Sequence, residues 1–474
     1  MIRNSSFLTV FLFFLGLVIN AQNQFTDFNI YSTSGEMGIE QALSKYLQFE
    51  SVTGNEKEAG EWIKSLCMAN GLYVEQLGDI DSNYNLAASL YPLSNGLPNI
   101  ILLSHLDVVP TGDITKWTHP PFSGLITETE IWGRGAFDNK GNGIMHLFSV
   151  IEIFKKYKDK QLPYNVTFLA VSCEETQCNG GAEYVVNHFM EKLNPIVVLG
   201  EGPPGFSKVL DSNPDKNLFA ISITNKRPLW LELSLKVKTS GHGSISPERY
   251  ANKEMIKALD NLLEKRPELI YTETNTNILK QFGHLEKGLK GFVLKHPRLF
   301  KGLLAPYLRR KTELFSLYSN SVTLTSVNSY NNVINVIPDE VTALLDCRLL
   351  PTQTNEEFIA EIKQKLNNKN IQLKVVHQMP IIPPSDDQSI FYEKIAAAIK
   401  KNYSQSEVLS AAVPNYNDVS FFRAKGINAY CFTPIQLDRL YLEKIHNINE
   451  RIPRGVLTKG KDTYVDFLEM CLNN

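Results

Sequence analysis

Histidines and carboxylates fall in five short segments of this chain, and their types are those that hold divalent cations. The first is Ser104-His105-Leu106-Asp107. In an extended strand, side chains two apart project to the same side. A metal-binding imidazole needs its other ring nitrogen held, commonly by a carboxylate. His105 is thus a candidate ligand and Asp107 its orienting group. The second segment, 133–141, surrounds Asp138 with glycines that let the backbone fold tightly around one carboxylate. Its spacing fits neither the phosphate loop nor the dinucleotide fingerprint. The third, Cys173-Glu174-Glu175, sets two carboxylates side by side, which repel unless a proton or cation lies between them. One metal ligand and one general base is the favoured reading over a solvated loop pair. Gly200-Glu201-Gly202 and His446 complete the set. Imidazole and carboxylate ligands suit zinc, with manganese or cobalt as alternatives. Each segment alone is weak evidence; their joint occurrence carries the reading.

The elements around these segments are those of an α/β sheet. Apolar spacing is helical over 38–72, broken at Thr53-Gly54-Asn55, and again over 143–156. Short apolar runs at 85–91, 99–103, 166–171 and 196–199 read as buried strands, with the reactive segments just after strand ends. The pattern changes near Leu229. Strands at 229–237, 321–327, 340–345 and 371–376, with helices at 247–265 and 355–366, give β-α-β-β-α-β, a small two-layer unit. A helical insertion at 266–320 mixes apolar and basic residues. It packs on its own domain or a partner, or forms an apolar wall beside the metal site suited to a long acyl group. From 380 the α/β pattern returns, with a helix at 387–402 and an apolar run at 429–432. The expected division is a leader at 1–21, a catalytic domain in two parts at 22–228 and 378–474, and an inserted domain at 229–377.

The 474 residues exceed one ordinary core, and 43% hydrophobic with 21% charged residues excludes a disordered or fibrous chain. The net charge of -2 gives no footprint for nucleic acid or an anionic membrane. Arg3, the apolar run 7–19 and Ala21 have the layout of a cleavable signal peptide, so export is expected, to the periplasm or outside the cell. No later segment is apolar and long enough to span a membrane. The six cysteines are too few for a disulfide framework. Cys173 and Cys178 share a loop and either pair or stay as small half-buried residues.

The ordered set of motifs resembles the M20 metallopeptidase family: HLDVVP from His105, Trp117-x-x-Pro-Pro-Phe122, the 133–141 loop, CEE, GEG, GHGS from Gly241, NVIP from Asn335, DCRLLP from Asp346 and the late His446. It looks most like the carboxypeptidase S and N-acyl-amino-acid hydrolase branch, whose second domain also carries a helical insertion. The resemblance spans essentially the whole mature chain. It implies a two-metal zinc-peptidase sheet covered by helices, with an inserted ferredoxin-like α+β domain acting as lid and homodimer surface. It also implies two divalent ions, one held by His105, Asp138 and Glu201 and the other by Asp138, Glu175 and His446, with Asp138 bridging. Glu174 would be the general base, and His242 would stabilise the oxyanion, from the partner subunit or on closure. Asn335 and Arg348 match lid positions, and Arg348 is equally a structural ion-pair partner. The implied activity is hydrolysis of an amide bond in a small peptide or N-acyl amino acid.

Two departures stand out. Relatives carry a late Thr-Asp-(Ser/Ala)-Arg run whose Arg grips the substrate carboxylate; here it is Asn417-Asp418-Val419-Ser420. Arg423 is a substitute if the segment is helical. Gly200 and Cys173 stand where relatives often have Asp. Competing readings are a catalytically silent binding protein of the same fold, which would have lost Glu174 or a ligand, and a related two-metal aminopeptidase, against which GHGS argues.

Overall fold

The computed structural model describes residues 28–78, 84–239, 241–329 and 333–473; the expected leader lies outside them. The main sheet has eight strands in the order Ser406–Val413, Asn217–Asn225, Asn428–Cys431, Pro195–Gly200, Asn99–His105, Asn165–Val171, Leu86–Ser89 and Tyr73–Gln76. The four central strands, Asn428–Cys431 to Asn165–Val171, are mutually parallel and so end at one edge. All residues of Asn99–His105 and Asn165–Val171 are buried, because helices cover both faces. Ile100 and Leu102 pack with helices Ile39–Leu47, Lys140–Tyr157 and Val456–Leu472 on one side. Ile101 and Leu103 pack with helix Ala182–Leu193 and Phe422 on the other.

Strands Asn217–Asn225 and Ser406–Val413 and the helix Val456–Leu472 were not expected from the sequence. Buried hydroxyls interrupt their apolar runs. Ser222 and Ser410 lie inside the strands, Ser222 donating to the Thr224 carbonyl at 2.9 Å, and Lys461 and Thr463 are buried in the helix.

A second, four-stranded antiparallel sheet has the order Ser321–Asn328, Glu340–Leu349, Arg227–Lys236 and Gln372–Gln378. With helices Ala251–Leu263 and Asn355–Leu366 it forms the expected ferredoxin-like layer. Leu229, Leu231, Leu233 and Leu235 alternate into a core with Met255, Leu259, Phe358 and Ile362.

The inserted helices Glu273–Leu285, Gly288–Lys295, Lys301–Arg310 and Thr312–Leu317 build a separate small core around Leu279, Val293, Leu304, Leu308 and Tyr318. They rest on the edge of the main sheet. Gln281 donates to Ser410 Oγ at 2.9 Å and accepts its amide at 3.1 Å. Glu286 accepts the amides of Asp211 at 3.1 Å and Ser212 at 3.0 Å. Three strand spacings of about 4.8 Å separate Ser406–Val413 from the strand that precedes Glu201. Leu289, Leu299 and Leu303 on the outer side are exposed. Short helices bury one stripe each, and these have already done so on the inner side.

Candidate metal centre

The parallel strands deliver their ligands to one edge. His105 ends its strand, Glu201 follows Pro195–Gly200 directly, and Glu174 and Glu175 follow Asn165–Val171. Asp138 precedes helix Lys140–Tyr157, and His446 lies in the loop before the short strand Arg451–Pro453. His105 Nε2 lies 3.2 Å from Asp138 Oδ1 and 3.4 Å from Glu201 Oε2. His446 Nε2 lies 3.1 Å from Asp138 Oδ2 and 3.2 Å from Glu175 Oε2. Two ligand groups result, His105-Asp138-Glu201 and Asp138-Glu175-His446, sharing Asp138 through its two oxygens.

Asp107 does more than orient His105. The ring Nδ1 meets the Asp107 backbone carbonyl at 2.9 Å, closer than the carboxylate at 3.4 Å. The carboxylate accepts the amides of Glu174 at 3.0 Å and Glu175 at 3.2 Å and the Thr53 hydroxyl at 2.7 Å. The chain turns at Cys173, with φ at 62°, and a disulfide joins Cys173 to Cys178 across the loop that carries both glutamates.

The Asp138 loop is moulded on Glu450, which the sequence reading passed over. Its carboxylate accepts Arg134 at 2.8 Å and the amides of Gly135, Phe137 and Asp138 at 3.0, 3.0 and 3.2 Å. Gly135 has φ at +89°, and a Cβ there would press on Val108 and Lys140. Four residues on from His446, Glu450 couples the last ligand to the shared one. No local pattern in the sequence marked it, because its burial and its pairing with Arg134 are set by packing between segments more than 300 residues apart.

The charges show what the cluster accommodates. Burial pushes up Glu174, Glu175 and Glu201, with Glu201 reaching about 7 through burial and the nearby Asp138. His446 is raised to about 10 by its bonds to Asp138 and Glu175. His105 also rises: burial opposes its proton, but Glu201, Asp107 and Asp138 prevail. Crowded carboxylates that draw protons onto both imidazoles form a seat for cations. Glu175 Oε1 and Asn139 Oδ1 are buried without a hydrogen-bond partner. The donor set and these orphaned oxygens fit divalent metal ions.

Glu174 belongs to neither ligand group, and its carboxyl is raised by burial, then by Glu201, leaving it beside the ligands as a free carboxyl. Asp418, also missed, is buried with an unpartnered Oδ2, and with His105, Asn139 and Glu201 it lines a small cavity. His242 lies in the ferredoxin-like layer, its Nδ1 accepting the Ser244 hydroxyl at 2.7 Å; its loop pairs with Asn335, whose carbonyl accepts the Gly243 amide at 2.7 Å. Neither ligand group includes it. Arg348 is held by Asp346 at 2.9 and 3.1 Å. The 419–424 segment is helical, but Arg423 is buried and spent on Ser385 Oγ and the Ala429 carbonyl, at 3.2 and 2.7 Å. It does not replace the missing carboxylate-gripping Arg.

A mixed sheet whose parallel central strands gather imidazoles and carboxylates around one shared aspartate, with a free glutamate beside them, defines a metal-dependent hydrolase. The chain belongs to peptidase family M20/M25/M40, whose family model matches residues 101–470. It is 28% identical over 401 residues to the probable carboxypeptidase S-like 2 of Dictyostelium discoideum, covering 84% of this chain and 75% of that one. It is 24% identical to the human N-fatty-acyl-amino acid synthase/hydrolase PM20D1, covering 94% and 89%. The M20 family metallo-carboxypeptidase Sso-CP2 from Sulfolobus solfataricus shares the fold with a TM-score of 0.69 at 20% identity, covering 90% of this chain and 98% of that one. The chain is thus an amide-cleaving metallohydrolase.

Proposed function

We propose that this protein hydrolyses N-acyl amino acids with hydrophobic acyl groups, using two zinc ions, with manganese or cobalt as substitutes. The observation that carries the reading is Asp138, whose two oxygens each face a different His–Glu ligand pair. When bound, a metal pair supplies a nucleophilic water at neutral pH and polarises the scissile carbonyl. Glu174 takes the proton from the attacking water and passes it to the leaving nitrogen. Asp107 holds the Glu174 backbone in place for this. His242 reaches the carbonyl oxygen on lid closure or from a partner subunit across a dimer formed by the ferredoxin-like layer.

The substrate class rests on two supports. The relatives include N-fatty-acyl-amino acid hydrolases, and Ser420 with the spent Arg423 leaves no such arginine to grip a carboxylate. A buried methylene gains about 0.8 kcal/mol, so kcat/KM rises with acyl length. Export to an oxidising compartment belongs to the same proposal, supported by the 7–19 run with Arg3 and by the Cys173–Cys178 disulfide.

The test is kcat/KM along a series of acyl lengths, each with a free and an amidated carboxyl end, on protein of measured metal content. A flat response to length with a large loss on amidation overturns the substrate class. Chelation abolishes turnover and added zinc, manganese or cobalt restores it; full activity of metal-free protein refutes the metal assignment. N-terminal sequencing of exported protein begins after Ala21 if export is right.

A further inference from the structure

The inserted helices carry a surface that the metal centre does not use. Residues 287–311 hold eight Lys and Arg and no Asp or Glu, in a chain of net charge -2. Within that stretch Leu289, Phe292, Leu299, Leu303 and Tyr307 are 51% to 76% exposed. Their neighbours Val293, Leu304 and Leu308 already fill the small core on the inner side. These helices are therefore apolar on two sides, one satisfied and one open. The rings of Phe292 and Phe300 are 5.7 Å apart, and Leu299, Leu303 and Tyr307 follow at steps of four residues. Lys287, Arg298, Lys301, Arg310 and Lys311 are exposed along the same stretch.

We propose that this face docks the protein on an anionic lipid surface. The apolar side chains enter the boundary between headgroups and acyl chains, and the cations meet the lipid phosphates. The whole-chain charge conceals the site because acidic residues elsewhere cancel a local cationic block. The chemistry separates this occupant from two others. A symmetric pair made through the patch sets the exposed Lys287, Arg298, Lys301, Arg310 and Lys311 against their own copies, and like charges facing each other repel. Nucleic acid would satisfy the cations but leaves Leu289, Leu299 and Leu303 without a partner, since its backbone offers phosphate and sugar. The inference goes beyond the amide hydrolysis and does not depend on it.

Co-sedimentation of the metal-loaded mature chain with vesicles tests the proposal. Vesicles of phosphatidylcholine with phosphatidylglycerol bind it, and pure phosphatidylcholine vesicles bind it far more weakly. Each exposed cation near the surface contributes about fivefold in partitioning. The triple variant Lys287→Glu, Arg298→Glu, Lys311→Glu therefore loses about a hundredfold or more on anionic vesicles. Leu299→Ser with Leu303→Ser also weakens binding, through apolar contact. Both variants keep wild-type turnover of a soluble short-chain substrate, because these residues lie at the sheet edge. Equal binding to both vesicle types, or to neither, overturns the proposal. So does a concentration-dependent dimer that Leu299→Ser with Leu303→Ser dissolves in the absence of vesicle binding, or retention of DNA in its absence.

Discussion

The imidazole of His105 leans on the backbone carbonyl of Asp107 at 2.9 Å, not on its carboxylate at 3.4 Å. A carbonyl only accepts, so Nδ1 carries a hydrogen; facing the acceptor oxygens of Asp138 and Glu201, Nε2 carries one as well, and it is this second proton that a metal ion would displace. One residue thereby serves two purposes: its main chain fixes a ligand tautomer while its side chain anchors the loop of Glu174 and Glu175.

That division predicts the effect of Asp107→Asn. The backbone carbonyl stays, so His105 keeps its tautomer and metal content stays near that of the wild type. An amide group accepts through one atom, so one of the two glutamate amides loses its partner. Turnover falls by about tenfold to a hundredfold. Metal analysis and kcat on the same sample check it; loss of metal in proportion to activity contradicts it.

Glu174→Gln separates proton transfer from metal binding. Glu174 lies outside both ligand groups, so the variant folds and holds its metal. Without a base, kcat drops by about a hundredfold or more. Wild-type-like turnover removes Glu174 from the mechanism.

Glu450 is a matter of stability first. Arg134 and Glu450 are both about 1% exposed, and the carboxylate also takes three backbone amides. Glu450→Ala strands a buried guanidinium and costs about 3–5 kcal/mol. Urea denaturation measures the loss. Because the same group moulds the Asp138 loop, metal affinity falls with it. A variant as stable as wild type disproves the role.

The insertion carries an acid-sensitive anchor. Burial would raise the Glu286 carboxyl, but Lys290, the Ser212 and Asp211 donors hold it at about 2, below its ordinary 4.5. A depressed acid stabilises the fold above its unfolded value, and that contribution is lost as pH falls through the folded value. Solvent around the half-exposed Lys290 screens this interaction, so Glu286 contributes about 1 kcal/mol at neutral pH, declining from about pH 4.5 toward about 2. Glu286→Gln is less stable than wild type at pH 7, and the gap closes in acid. A gap independent of pH refutes the assignment.

Ligand types, their order and the sheet that presents them were legible in the chain, because each element announces itself over a few residues. Val166 to Val171 read as a buried strand, and the acids after it as a strand-end pair. The alternation of Leu229, Leu231, Leu233 and Leu235 likewise gave the second layer. Strand 217–225 and helix 456–472 stayed hidden because buried Ser222, Lys461 and Thr463 imitate surface residues until their partners are known. Only the tertiary structure decided how one aspartate faces two ligand pairs, since His105 and His446 are 341 positions apart in the chain. It also decided that Glu450 rather than a nearby residue moulds the Asp138 loop, and that Arg423 is spent in the interior. Sequence periodicity records which side of an element is apolar. It does not record which distant backbone amide a buried carboxylate will meet, because that partner is fixed by packing between elements.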